Sequence, residues 1–223
     1  WILNILLNYM SKKTLLWGGG SKAKLAIELF NLKNVIIFDP YIKKFNSNKK
    51  VTFFNKFKDL KKVIKTCSKF FVCIGNNHGE DRKTIAEILI KNKLKPISLI
   101  HKKSIIHKSV NLGKMIMIMP GSVINPNAKI KDYVVINTSA VIEHDCILGH
   151  GVEVMGSASI AGNCIIEKNS TIGTNATIFP NILLRENSYV GAGSVIGNTV
   201  GKNNIVVGNP GKFLKKNESN KNK

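Results

Sequence analysis

From Ile106 to Ile196 every sixth residue is aliphatic. The run reads Ile106, Leu112, Ile118, Ile124, Ile130, Ile136, Ile142, Leu148, Val154, Ile160, Ile166, Ile172, Ile178, Leu184, Val190 and Ile196. The residue four places after each is mostly small, as at Ser122, Ala128, Ala140, Cys146, Ala158 and Cys164. Gly and Asn crowd the remaining positions, as in "SIAGN", "TIGTN" and "YVGAG". A period of six matches neither a helix nor an ordinary strand. It predicts a left-handed parallel β-helix, with one short strand and one corner per hexad and three hexads per triangular coil. The aliphatic residue points into the prism, and the small one fits where a corner crowds the interior. Gly and Asn suit the backbone that corners demand. Coils then stack about 4.8 Å apart, the parallel-strand spacing, and the run makes roughly five of them.

The pattern before the repeat is different. "KTLLW" reads as a strand, followed at once by "GGGSKAKLAIELF", a glycine turn and an amphipathic helix. "NVIIFDP" and "FFVCIGNN" read as strands, a helix follows from about Glu80 to Lys91, and "PISLI" reads as another strand. Alternating strands and helices imply a parallel sheet, and ligands of such sheets bind beyond the carboxyl ends of the strands. Gly18–Ser21, Asp39–Pro40 and Gly75–Asn77 are therefore expected to converge there. Gly19, Gly20 and Ser21 lack the full GxGxxG pattern, and a plain strand-to-helix turn would also explain them. Read functionally, their amides and the helix N-terminus receive a phosphate or a uracil edge. About 100 residues precede the repeat, which is short for a nicotinamide domain, so a nucleotide-bearing substrate is favoured over NAD. The expected organisation is a leader or tag remnant at 1–12, a Rossmann-like nucleotide-sugar-binding domain at 13–100, the β-helix at 101–213 and a Lys/Asn-rich tail at 214–223.

Charge changes this picture little. The formal net charge is +21, yet only Arg82 and Arg185 are arginines. Readers of nucleic acid favour Arg for bidentate contacts, so the lysines read first as solvated faces, the alternative being attraction of a small anion such as a nucleotide or coenzyme A. No nucleic-acid partner is expected. The four cysteines form no CxxC pair and sit in apolar contexts, as expected of reduced, buried thiols in a cytoplasmic protein. "WILNILLNY" is apolar but too short to span a bilayer, with Met10 as a candidate start. No membrane insertion is expected.

One stretch carries candidate chemistry. In "NTSAVIEHDCILGHG" His144 stands between Glu143 and Asp145. Ile142 points inward, so 143–145 face outward at a corner. A neutral imidazole held by a carboxylate on its other nitrogen suits general-base work. Spacing alone leaves open whether Glu143 or Asp145 is that carboxylate. Gly162 lies one coil on, on the same edge, where a bare amide would serve as an oxyanion donor.

The two halves together resemble the bacterial nucleotide-sugar acetyltransferases that include the bacillosamine-pathway N-acetyltransferase and the sialic-acid O-acetyltransferases. "GGGSKAK", "CIGNN", "VINTSAVIEHDCILG", "SIAGNCII" and "VVGNPGKF" carry the likeness, from Lys13 to Phe213. The resemblance implies a homotrimer that binds acetyl-CoA between neighbouring β-helices and a nucleotide-linked aminosugar at the N-terminal domain. It implies His144 as base, Asp145 as its acidic partner and Gly162 as amide donor. The coenzyme would run past Glu153, Gly162, Thr174, Gly191 and Ala192. Gly19, Gly20, Ser21, Asp39, Pro40, Gly75, Asn76 and Asn77 would hold the nucleotide-sugar. The implied reaction is N-acetylation of a UDP- or dTDP-linked 4-amino-4,6-dideoxyhexose for a surface glycan, without a metal.

Relatives often carry a second histidine nine residues after the base, and here that position is Glu153. The role has then moved, His150 being one candidate, or Gly162 suffices. Three alternatives stand beside this reading. A zinc site would need three converging histidines, and His144 and His150 fall one hexad apart. A noncatalytic scaffold would not need His144, Asp145 and Gly162 together. Transfer to a sugar hydroxyl keeps the enzyme class and changes the acceptor.

Overall fold

The computed structural model describes residues 13–218. The expected leader at 1–12 and the last five residues of the tail lie outside them. The chain forms two compact units. One runs to Ile74 and takes in Asp81–Ser98; the other comprises Gly75–Glu80 and the chain from Leu99 onward.

The first unit is a five-stranded parallel sheet. Its strands are β1 (Lys13–Trp17), β2 (Val35–Phe38), β3 (Thr52–Phe54), β4 (Cys67–Val72) and β5 (Lys95–Pro96), in the order β3-β2-β1-β4-β5. Helix α1 (Ser21–Leu29) joins β1 to β2, α2 (Phe57–Thr66) precedes β4, and α3 (Gly79–Lys91) follows it. Leu15, Leu16, Ile36, Ile37, Phe70 and Phe71 are buried, as sheet residues covered on both faces must be. The strand order reverses beside β1, where the chain leaves β2 on one side and β4 on the other.

Two features of this unit depart from the sequence reading. Thr52–Phe54 and α2 were not foreseen, because the lysines of "FKDLKKVIKT" mask its apolar positions. "PISLI" is not one strand: Lys95–Pro96 closes the first sheet, and Leu99–Ile100 pairs with Met117–Ile118 in the second unit.

The second unit is a parallel β-helix of two-residue strands. Three faces run along it. The first holds Ile105–Ile106, Val123–Ile124, Val141–Ile142, Ser159–Ile160, Thr177–Ile178 and Val195–Ile196. The second begins at Asn111–Leu112 and ends at Leu183–Leu184, and the third begins at Leu99–Ile100 and closes with the antiparallel strand Lys212–Lys216. Along the repeat, each strand residue pairs with the one eighteen positions on, as Val141 with Ser159 and Ile142 with Ile160.

Every sixth residue from Met115 to Gly193 has a positive φ, between 51° and 74°. These are the corners. Asn fills six of them and Gly three, residues that tolerate the left-handed region best. The residue after each corner turns inward: Ala140, Cys146, Ala158 and Cys164 are fully buried. Where it is serine, its hydroxyl finds a carbonyl, as Ser170 Oγ does at Arg185 O, 3.0 Å away. A buried polar atom thus costs little here. All four cysteines are free and buried. Among the described residues no helix is long and apolar enough to cross a membrane.

Neighbouring residues of one strand therefore carry very different weight. Ile166 is fully enclosed and Ile165 is 44% exposed. Ile166→Ala should cost about 2–5 kcal/mol and Ile165→Ala under about 1 kcal/mol, measured by denaturant unfolding. Equal losses would contradict the inward phase of the hexads.

Candidate functional site

The edge between the first and second faces carries Glu143, His144 and Asp145. Ile142 before them and Cys146 after them are buried in the prism, so the three face outward. Asp145 is the corner residue, with φ 59°. His144 Nδ1 donates to Asp145 Oδ2 at 2.8 Å, and both side chains stay about half exposed. Asn127, the same corner one coil earlier, donates its Nδ2 to Asp145 Oδ1 at 3.1 Å. The hydrogen bond from His144, followed by that from Asn127, holds the Asp145 carboxyl below the usual carboxylate range. Spacing left Glu143 and Asp145 as alternatives, and the geometry puts Asp145 on the imidazole. With Nδ1–H engaged, Nε2 is left with a free lone pair.

That Nε2 sits over Gly162. A methyl group built on Gly162 would come 2.6 Å from Nε2 and 2.7 Å from Cε1. Only glycine leaves room for the ring in this position, so one coil's spacing fixes imidazole and bare backbone against each other. The Gly162 carbonyl accepts from Asn181 N–H at 3.0 Å, whereas its amide donates to no acceptor among the described residues. Further along the same edge Phe179 is half exposed, and a Cβ on Gly197 would lie 3.5 Å from its ring. Sequence reading passed over Phe179 and Asn127. Their signal was positional: Asn127 precedes Asp145 by eighteen residues, and Phe179 follows Ala161 by eighteen.

Thr174, Gly191 and Ala192 meet at a different corner, between the third and first faces. Gly193 N–H donates to Thr174 O at 2.8 Å, and a Cβ on Gly173 would strike Ala192 N at 2.5 Å. Successive coils approach too closely there for a side chain at Gly173. Glu153 joins neither edge. It lies on the third face between Val135 and Thr171, is fully buried, and accepts from Asn137 Nδ2 at 3.4 Å. Its carboxylate is enclosed, unlike the outward-facing residues of the two edges. His150 stands at the third corner, its Nδ1 3.9 Å from Asp132 and its ring 6.5 Å from that of Tyr133. It does not reach the edge of His144.

In the first unit, the loops after β1 and β2 come together. Asp39 accepts from Gly19 N–H at 2.7 Å through Oδ2 and from Tyr41 N–H at 2.9 Å through Oδ1. It clips the glycine loop to the loop of Pro40. Gly18 has φ 100°, and a side chain there would press on the Cys73 backbone at 3.2 Å. Gly20 caps α1 with no side-chain cap, Ser21 begins the helix, and nothing lies within 4 Å of a Cβ built on Gly20. Two buried cations escaped the sequence reading. Lys22 is nine-tenths buried, and its charge bears on the Cys73 thiol, which burial pushes up to about 12. Arg82 is fully buried and donates to Ile74 O at 3.0 Å, bracing the chain beyond β4. The third expected loop, Gly75–Asn77, belongs to the β-helix unit, where Asn77 Nδ2 donates to Asn217 Oδ1 at 2.8 Å. Among the described residues no group of three or more His, Cys, Asp or Glu is arranged to hold a metal ion.

No protein-family model and no curated protein matches the chain. Solved structures do. The acetyltransferase domain of PglB from Neisseria gonorrhoeae FA1090 is 25% identical, with a TM-score of 0.81 over 91% of this chain and 100% of that one. PerB from Caulobacter crescentus, solved with CoA and GDP-perosamine, is 24% identical, with a TM-score of 0.79 over 91% of this chain and 97% of that one. WeeI from Acinetobacter baumannii AYE is 21% identical, with a TM-score of 0.82 over 91% and 100%. The likeness shows that this chain has the fold of these proteins over nine-tenths of its length.

The pair at the first edge makes a checkable prediction. Loss of the imidazole removes the main group that favours the Asp145 carboxylate. In His144→Ala the Asp145 carboxyl should titrate at higher pH than in the parent, read by carboxyl carbon NMR. An unchanged midpoint would mean the two side chains do not pair in solution.

Proposed function

We propose that this chain is an acetyl-CoA-dependent N-acetyltransferase acting on the 4-amino group of a nucleotide-linked 4-amino-4,6-dideoxyhexose. The observation that carries the proposal is the stacking of His144 Nε2 over Gly162, with Nδ1 held by Asp145. The fold it sits on is that of PerB, solved with CoA and GDP-perosamine. The finer reading of the fold is a left-handed prism preceded by a Rossmann-like nucleotide-sugar-binding unit.

Each residue has one task. His144 Nε2 takes the proton that the amine must lose as it attacks the thioester carbonyl. Asp145 holds the tautomer and stabilises the imidazolium. The Gly162 amide donates to the oxygen that gains charge in the tetrahedral intermediate. As the intermediate collapses, the C–S bond breaks and the imidazolium returns its proton to the leaving thiolate. The products are an amide and a free thiol. The uncapped start of α1 at Gly20 and Ser21, with Asp39 bracing Gly19, receives the nucleotide. Low walls at Thr174, Gly191 and Ala192 admit the slender arm of the coenzyme.

The coenzyme wall and the base lie on different corners of the prism. One chain therefore holds two half-sites. Copies packed edge to edge would complete them, which supports a homotrimer with sites between subunits. The reaction uses cytoplasmic nucleotide-sugars and acetyl-CoA, and the cytoplasm is the compartment proposed.

The test is thiol release from acetyl-CoA with UDP-, dTDP- and GDP-linked 4-aminosugars as acceptors, alongside sialic acid. One aminosugar should turn over rapidly. His144→Ala should lower kcat by roughly 10²–10⁴, and Gly162→Ala, which displaces the ring, by about 10²–10³, each with an unchanged circular dichroism spectrum. Turnover of sialic acid alone would move the chain to hydroxyl acceptors. A fully active His144→Ala would remove the proposed base.

A further inference from the structure

The first unit has a second concave surface, running along α2. It is a groove of about 920 Å³ where the chain enters β4 at Cys67–Lys69, flanked by α2 and by the turn after α3. Phe57, Leu60 and Ile64 line one side, and Leu94 lies in the other. The three residues on α2 are spaced three and four apart, so they form one stripe of the helix. Val63 on the same helix is buried. The apolar face of α2 is therefore wider than the sheet that covers it, and Phe57 is left 62% exposed.

The rim has one sign of charge. Lys61, Lys65, Lys69, Lys93 and Lys95 surround the apolar floor, all exposed, and among the described residues no acidic side chain lines the groove. An apolar floor inside a ring of cations calls for an occupant that is apolar on one face and acidic on the other. Several occupants fit poorly. A second copy brings net charge +21 to a cationic rim. Nucleic acid would meet aliphatic side chains and not an Arg-rich stacking platform. A flat bilayer would touch the lysines without reaching Leu60 and Ile64. An amphipathic helix meets both demands, with leucine-like anchors in the groove and carboxylates towards the rim.

We propose that this groove is a docking site for an acidic amphipathic helix of a partner protein, separate from the acetyl-transfer site. Such a contact would localise the enzyme without altering its chemistry.

The test uses the full chain and a fluorescein-labelled acidic peptide of about four helical turns. Its leucines recur at i, i+3, i+4 and i+7, with glutamates elsewhere; a second peptide has the same composition in scrambled order. Fluorescence anisotropy should show micromolar, salt-sensitive binding of the ordered peptide, and at least about tenfold weaker binding of the scrambled one. Ile64→Glu, and separately Lys65→Glu with Lys93→Glu on the exposed rim, should each weaken it by about tenfold or more. Acetyl transfer should stay at the parental rate. Equal binding of both peptides, or binding indifferent to Ile64→Glu, would reduce the groove to a nonspecific cationic surface and overturn the proposal. So would no peptide binding, whether or not the chain sediments with phosphatidylglycerol vesicles or self-associates through Ile64.

Discussion

Hydrogen bonds between successive coils are the constraint on which the second unit depends. Each corner amide and strand amide reaches the coil next to it, so residue n lies on residue n plus eighteen. Such parallel pairing fixes register wherever one face is buried, because a slip would turn the aliphatic set outward. His144 over Gly162 follows from that register and from nothing local. So does Asn127 beneath Asp145, and so does Phe179 beyond Ala161. The candidate site is one column of that ladder.

The left-handed corner explains why one acid serves and its neighbour does not. Glu143 and Asp145 flank the histidine equally in sequence. Asp145 occupies the positive-φ position that Asn and Gly fill elsewhere, and there it meets the imidazole at 2.8 Å. A short side chain with an oxygen at its end suits both the backbone and the bond. The same corner role, shared by Asn127, Asn163 and Asn181, gives the Asn richness of the repeat a physical cause.

The β-helix was legible because its interior admits only aliphatic and small residues at fixed places, and that demand is written every six residues. That Gly162 stacks on His144 was legible through the same period; which acid meets the imidazole was not. The rest needed coordinates. Glu153 has the spacing of a groove residue, but enclosure on the third face decides its surroundings. Asp39 reads as a ligand and is already engaged by two backbone amides, which makes it a brace for the glycine loop. The start of the β-helix at Leu99 was hidden because "PISLI" serves two sheets. The lysines of α2 hid its apolar stripe, and with it the groove. Charge patterning obscures amphipathicity when cations flank both edges of one stripe.

The central claim is that acetyl transfer takes place at the His144–Gly162 edge. A crystal structure of the protein with CoA and a nucleotide-linked 4-aminosugar tests it most directly. The account predicts the sugar amine within hydrogen-bond reach of His144 Nε2, and the CoA sulfur near the Gly162 amide. An aminosugar bound at another corner, with His144 facing only solvent, would contradict it.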